Sequence, residues 1–489
     1  MRRALFITGV RTPFALSGTS LSSFRAVDLA KMALKGLIDK TALDSSALSL
    51  ISLGNVIQDV NTANVAREAA LMAGIPTSVP CHTMTMACIS SNASIAHAST
   101  LIEAGRASLA IVGGVDIMSD APIRYSKALR QRMLASTKVK GGLLGYASLL
   151  KGLTLADLSP ETPTISEFST GESMGHSADR LASRWGVTRS EQDIFSLRSH
   201  ENAALAHANG HIRNDLIDVP SSSSSFSSFS SFSSSSTKSA ASTSESKGGK
   251  SSTGSSSLSL CDNGIKIGST IDKLTSLKPS FVKPHGTVTA GNSSFLTDGA
   301  SACLIASEKI AKEHGLIAKS QIVDFIFTGS DPKEELLLGP AYAIAELLER
   351  NNLSVSDICV WELHEAFAGQ VLANLNALDS DIFVKQREGT SRSGGSVLGS
   401  EGGSKKKFGK IGRVPMHQIN TWGGSLALGH PFGATGGRLL TMASNRLGVE
   451  AEGHGFAILA ACAAGGQGHA MLIRGIPSSL TPGPKNINV

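Results

Sequence analysis

Two similar layered α/β halves with a loop domain between them are what this sequence predicts, and three of its features carry that prediction. Short continuous apolar runs, among them residues 4–10 and 108–115, alternate with segments of helical periodicity. Strands buried on both faces and interleaved with helices make a layered α/β domain. The late run Gly455-Phe-Ala-Ile-Leu-Ala-Ala-Cys462 echoes the early Ser108-Leu-Ala-Ile-Val-Gly-Gly-Val115, as a duplicated half would. At 489 residues the chain also exceeds what one hydrophobic core organises.

In chain order, residues 4–10 read as a buried strand closed by the turn Arg11-Thr-Pro-Phe14. A helix is expected over 26–37, a strand over 50–56, and a helix over 65–72 stopped by Gly74 and Pro76. An apolar approach then ends at Cys88, and the small residues Ser90, Ser91, Ala93, Ser94 and Ala96 suit a tightly packed helix with Cys88 in its first turn. After Ala121 the character shifts: Arg124, Lys127, Arg130, Arg132, Lys138, Lys140 and Lys151 occur with no acidic residue between Asp120 and Asp157, alongside Leu143, Leu144 and Tyr146. Residues 121–156 therefore read either as a solvated basic loop or as a surface that lies on an anionic membrane or grips a partner.

Helices are expected over 177–185 and from Ser190 to 206. Residues 221–259 are nearly all serine and cannot bury enough apolar area to order themselves, so they read as a disordered insertion, with Asp262-Asn-Gly264 resuming the fold. A strand over 322–327, a helix over 341–350 and a strand from 358 into His364 follow, with a second Gly/Ser/Lys-rich insertion at about 387–410. The expected domains are 1–120 completed by about 283–310, a loop domain over 121–282, and 311–489.

Composition excludes several classes. A net charge of +6 is mild for this length, which argues against nucleic acid yet suits an anionic small ligand. No apolar run reaches a membrane span. The six cysteines are scattered without paired spacing, so neither a disulfide framework nor a metal site is expected, and a reducing compartment is. The strand-like start leaves no room for a leader, and Asn486-Ile-Asn-Val489 is not a peroxisomal address.

The chemistry-bearing residues are two thiols and two imidazoles, each beside a turn. Cys88 begins a helix, where free N–H groups and the dipole stabilise a thiolate. Cys462 ends a buried strand in Ala460-Ala-Cys-Ala-Ala-Gly-Gly-Gln-Gly468. His430 is held between Gly429 and Pro431 in Trp422-Gly-Gly-Ser-Leu-Ala-Leu-Gly-His-Pro-Phe-Gly-Ala-Thr-Gly436, and His364 opens His364-Glu-Ala-Phe-Ala368. Any one of the four reads equally as packing; in this combination they suit a thiol nucleophile with its acid and base.

With Arg11-Thr-Pro-Phe14, Ala87-Cys-Ile-Ser90, Glu167-Phe-Ser169, Met174-Gly-His-Ser-Ala-Asp-Arg180, Gly286-Thr-Val-Thr-Ala290 and Asn292-Ser-Ser-Phe-Leu-Thr-Asp-Gly299, these stretches make the chain resemble the thiolases over nearly its whole length outside the two insertions. Within that family it is most similar to the β-subunits of trifunctional fatty-acid oxidation complexes, because His364 stands where most other thiolases carry Asn. The resemblance implies the thiolase fold and a 3-ketoacyl-CoA thiolase that cleaves its substrate with CoA. Cys88 would be acylated, His430 would deprotonate it, Cys462 would be the acid/base thiol, and His364 would help hold the enolate oxygen. The backbone N–H groups of Cys88 and Ala464 would form a second oxyanion hole, and Ser294 would contact pantetheine. Ala464 replaces the Gly of many thiolases, and Gly291 replaces Ala in the nearest branch.

The resemblance further implies CoA as substrate with no cofactor and a homodimer or larger assembly. It also implies a hydratase/dehydrogenase α-subunit, membrane contact through 121–156, and a mitochondrial location, with cytoplasm or another organelle as the alternative. Cys462 argues against a β-ketoacyl synthase, and His364 against a short-chain acetoacetyl-CoA thiolase. The four filled positions argue against a non-catalytic scaffold. Deleting residues 221–256 is expected to leave both the melting temperature and turnover nearly unchanged; a Tm loss of several degrees in a thermal melt would show the insertion to be ordered.

Overall fold

The computed structural model describes residues 2–136, 152–163, 166–220, 261–392 and 409–477. The serine-rich insertion at 221–259, residues 137–151 of the basic segment, and 393–408 lie outside the described residues.

The first half contains β1 (Ala4–Arg11), the two-residue β2 (Ala15–Leu16), α1 (Ala26–Thr41), β3 (Leu50–Gly54), α2 (Val65–Met72), β4 (Cys81–Met84), α3 (Ser90–Glu103) and β5 (Leu109–Asp116). The connecting region carries α4 (Lys127–Ser136), α5 (Met174–Arg184), α6 (Arg189–Ala208) and α7 (Ile271–Thr275), after which β6 (Thr297–Ser307) completes the first half. A short α8 (Glu308–Glu313) leads to the second half: β7 (Ser320–Gly329), α9 (Gly339–Arg350), β8 (Ile358–Leu363), α10 (Ala368–Leu378), α11 (Asp381–Arg392), α12 (Ser425–Leu428), α13 (Thr435–Glu450), β9 (Phe456–Ala463) and β10 (Gln467–Gly475).

The strands form one mixed sheet in the order β4-β3-β5-β6-β1-β7-β10-β9-β8, with β2 paired to β6. At its middle, Ala4 to Phe6 of β1 pair antiparallel with Ile322 to Ser320 of β7. Read outward from that seam, each half repeats one connectivity. It runs first strand, last strand, next-to-last, then second, and the far edge of the second half ends on the parallel bridge Trp361–Ile419. The duplication suggested by the two apolar runs is thus present as topology.

Strand alternation divides the apolar residues among layers. In β5, Leu109 and Ile111 join the outer core with α1 and α2, whereas Ala110 and Val112 join the core shared with α3 and α13. In β9, Ile458 and Ala460 face the core with α9 and α10, while Leu459 and Ala461 face α13. The helices α3 and α13 are therefore the buried central layer. Gly54 permits α3 to lie on β3, since a Cβ there would meet the Ser91 backbone nitrogen at 2.6 Å.

Two expectations need correction. Helix α3 begins at Ser90, so Cys88 lies before its N-cap Ile89 rather than in its first turn. The segment read as an insertion from about 387 starts inside helix α11, because Arg387 is buried and its guanidinium makes paired 2.8 Å bonds to Glu349. The basic, polar composition there is that of a helix face committed to an ion pair.

The Arg11-Thr-Pro-Phe14 turn and Asp262, read separately in the sequence, meet. Arg11 donates to both Asp262 oxygens at 2.6 and 2.7 Å, and Phe14 N–H donates to Oδ1 at 2.8 Å, all buried. Burial alone pushes the Asp262 carboxyl up, but the charge and hydrogen bonds of Arg11, together with His207, outweigh it and hold the group well below the usual carboxylate range. A depressed folded pKa contributes stability above the unfolded value of about 4, and that contribution is lost as pH falls through the folded value. Asp262→Ala leaves a buried guanidinium unpaired and is expected to cost about 3–5 kcal/mol in urea unfolding at neutral pH. A loss below about 1 kcal/mol would mean the clamp is solvated.

Candidate active site

The turn before α3 is shaped by Ala87, whose φ of 45° is left-handed, a conformation costly for a residue with a Cβ. Ser90 Oγ holds it, donating to Ala87 O at 2.6 Å and accepting from Met86 N–H at 2.8 Å. The N–H groups that act on the Cys88 sulfur are those of Ala464 and of Cys88 itself. Burial pushes the Cys88 thiol up to about 12; the two N–H groups pull it down and Asp116 pushes it up further. The helix-stabilised thiolate expected from sequence is therefore replaced by a neutral thiol that needs a base.

Cys462 is the next-to-last residue of β9 and fully buried. Burial raises its thiol, and the charge of Cys88 raises it again. Beyond it, Gly465 and Gly466, with φ of 80° and 72°, make the tight turn into β10. Ala464 is not among the positive-φ residues, so its Cβ is accommodated without strain. Glu167 Oε2 accepts from Gly465 N–H at 3.0 Å, tying the loop domain to this turn.

The imidazoles arrive from two other loops. His364 leaves β8 and its N–H donates to Ala460 O at 2.8 Å, on the strand that carries Cys462. Its neighbour Glu365 is fully buried and braces three segments, accepting from Ser199 Oγ at 2.7 Å, Asn420 Nδ2 at 2.6 Å and Leu426 N–H at 3.1 Å. His430 follows Gly429, whose φ of 101° only glycine adopts readily, and its N–H donates to Thr297 Oγ1 at 2.9 Å. Asp116 at the end of β5 accepts from Gly433 N–H at 2.5 Å, which seats the same loop on the first half.

The two rings lie with centroids 4.0 Å apart, tilted by 43°. Both Nε2 atoms are buried with no partner among the described residues, an expensive arrangement unless a ligand fills it. Burial pushes His430 down to about 3 and His364 well below the ordinary value, with the nearby cation Arg438 acting the same way on both. Both are neutral at physiological pH. His430 Nδ1 lies 2.6 Å from Thr435 Oγ1, whose hydroxyl donates to Pro431 O at 2.8 Å. With its one proton so committed, Thr435 must accept from Nδ1–H, which leaves His430 Nε2 as a free lone pair, the form of a general base.

Ser294 N–H donates to Ala366 O at 2.9 Å, so the half-buried serine sits beside the His364 loop. Of the basic residues after Ala121, Arg130 pairs with Glu161 at 3.0 Å, while Lys138, Lys140 and Lys151 lie outside the described residues. Sequence reasoning missed Asp116, Ser425, Thr435 and Arg438. The two hydroxyls sit in a glycine-rich stretch where they read as small filler, and Arg438 lies two residues past its end.

Comparison with known proteins finds relatives over nearly the whole chain. Models of the thiolase N-terminal and C-terminal domains match residues 4–309 and 316–475. The chain is 46% identical over 476 residues to a probable 3-ketoacyl-CoA thiolase of Caenorhabditis elegans, covering 97% of this chain and 94% of that one. It is 44% identical to the mitochondrial trifunctional enzyme subunit beta of Bos taurus, covering 98% and 89%. The crystal structure of human mitochondrial 3-ketoacyl-CoA thiolase superposes with a TM-score of 0.73 at 26% identity, covering 97% and 99%.

Because the Cys88 thiol is protonated at rest, its alkylation by iodoacetamide is expected to accelerate steadily over roughly pH 6 to 9. A rate already saturated below about pH 7 would reveal a preformed thiolate instead. His430→Asn is expected to lower kcat for thiolysis about 10²- to 10⁴-fold, the usual contribution of a general base.

Proposed function

The chain belongs to the thiolase family and is an acyltransferase of the 3-ketoacyl-CoA thiolase kind, and from that premise we propose the roles of its site residues. His430 Nε2 takes the Cys88 proton, and the thiolate adds to the 3-keto carbon of the substrate. The alkoxide that forms is held by the N–H groups of Cys88 and Ala464. Collapse breaks the bond between the second and third carbons, leaving the shortened acyl group on Cys88 and an acetyl-CoA enolate. Cys462 gives its proton to that carbanion, and the Cys462 thiolate then takes the proton of incoming CoA. The CoA sulfur attacks the acyl-Cys88 thioester, acyl-CoA leaves, and the imidazolium of His430 returns the proton to Cys88, so charge and protons balance.

The enolate is the costly species, because carbon–carbon cleavage moves an electron pair onto the thioester oxygen. His364 faces that oxygen in this reading, and a preorganised donor there is worth about 3 kcal/mol. Ser294 contacts the pantetheine arm. What supports the reading is a pair of buried thiols, the charge of one acting on the other, together with two neutral imidazoles 4.0 Å apart whose Nε2 atoms are buried with no partner among the described residues.

Assembly and location follow the same likeness. The chain forms at least a homodimer, and the free edge of β4, at one end of the sheet, suits pairing with a second copy. It acts in mitochondria, in the last step of fatty-acid β-oxidation, with a hydratase/dehydrogenase α-subunit. The segment 121–156 meets a membrane or that subunit; among its described residues Ile123, Tyr125 and Leu155 are exposed.

The test is thiolysis of acetoacetyl-CoA and of a long-chain 3-ketoacyl-CoA, with and without a candidate α-subunit. Turnover of the long-chain substrate is expected. Turnover of acetoacetyl-CoA alone would indicate a short-chain enzyme, and turnover of neither a scaffold. Cys88→Ala is expected to abolish thiolysis with an unchanged melting temperature; wild-type turnover in that variant would remove Cys88 from the mechanism.

A further inference from the structure

We propose that Ser425 and Arg438 are positioning residues that hold His364 as the tautomer with its proton on Nε2, so that the site carries one histidine built to donate and one built to accept. The inference rests on the thiolytic reading above for its consequence, though not for its geometry.

Ser425 is fully buried at the start of α12. Its hydroxyl oxygen accepts from Arg438 Nη2 at 3.0 Å and lies 2.8 Å from His364 Nδ1. A guanidinium only donates, so it cannot take the hydroxyl proton. Among the described residues His364 Nδ1 is the remaining partner of that oxygen, and the proton is directed there. A neutral imidazole that accepts at Nδ1 carries its own hydrogen on Nε2, the nitrogen that is buried without a partner. At His430 the order is reversed: Thr435 spends its proton on Pro431 O, Nδ1 must donate, and Nε2 is bare. Two rings 4.0 Å apart thus present opposite hydrogen-bonding character at the same atom.

Arg438 gives the serine its polarity. It is fully buried, and its Nη1 stands 3.7 Å from Glu362 Oε2, whereas the other Glu362 oxygen is taken by Arg446 Nη1 at 2.7 Å. The cation is therefore loosely neutralised and draws electron density from the Ser425 oxygen, which strengthens O–H donation to His364. Glu362 lies on the side of β8 that faces the helix bearing Arg438 and Arg446, and His364 follows just past the end of that strand. The result is a chain of polarised groups ending in an N–H aimed where thioester-oxygen charge develops during carbon–carbon cleavage.

The experiment uses the full chain. Histidine side-chain ¹⁵N NMR of the wild type is expected to report His364 as the Nε2–H tautomer and His430 as the Nδ1–H tautomer. Finding His364 protonated on Nδ1 would overturn the inference without any variant and whether or not the protein is a thiolase. Ser425→Ala is then compared in two reactions: thiolysis of a 3-ketoacyl-CoA, which passes through an enolate, and exchange of labelled CoA with an acyl-CoA, which acylates Cys88 but forms none. Thiolysis kcat is expected to fall on the order of a hundredfold, with KM within about twofold and exchange within about threefold. Ser425→Thr, which retains the hydroxyl, is expected to recover most of the loss. Equal losses in both reactions, or no loss in thiolysis, would show Ser425 to be packing alone. A wild type that performs neither reaction would sink the proposed function while leaving the tautomer measurement to decide this inference.

Discussion

The close approach of the N-terminal turns of α3 and α13 is the constraint on which the rest of the structure depends. A Cβ on Gly436 would run into the Asn92 side chain, and Gly437 N–H donates to Ser91 Oγ at 3.3 Å, so the two helices meet backbone to backbone. Interior packing is dense enough that a side chain at either glycine would have to move one helix. Each helix is preceded by a short turn bearing a reactive group, Cys88 before α3 and His430 before α13. Bringing the helix ends together brings those turns together, and the duplicated topology is what supplies two such helices from halves far apart in the chain.

Burial then sets the chemistry. Every reactive group in the site is more than nine-tenths buried, and none is held charged by a close partner: the thiols are pushed up and the imidazoles down. The site rests neutral and develops charge only as protons move. A low-dielectric pocket with fixed donors suits a reaction whose difficulty is an enolate, because the donors need not reorganise when the charge appears. Glu362, Arg438 and Arg446 form a buried charged cluster, from which Arg438 reaches His364 through the Ser425 hydroxyl.

Much of this was legible in the sequence. The strands at β1 and β5, helix α2 to the residue, and the stretches bearing Cys88, His364, His430 and Cys462 follow from period, glycine position and small-residue runs, which are local properties. The start of α11 was not, because a helix whose polar residues serve a distant ion pair has the composition of a surface loop; Arg387 finds Glu349 only after α9 and α11 have packed. The ionisation state of Cys88 was misread for a similar reason. Its position ahead of a helix suggested dipole stabilisation, whereas the N–H that acts on the sulfur besides its own is that of Ala464, some 370 residues later in the chain, and burial dominates.

By itself the sequence determined the layered α/β class and the internal duplication, which depend on residue type and spacing along the chain, and it singled out Cys88, His364, His430 and Cys462 as candidates through their turns and the thiolase resemblance. Only the tertiary structure decided that the Cys88 thiol rests protonated, which hydroxyl stands against each imidazole, and that Arg11 is clamped to Asp262. Those outcomes depend on a hydroxyl, a carboxylate or a backbone N–H contributed by another part of the chain, and on a burial that exists only once both halves have closed around α3 and α13.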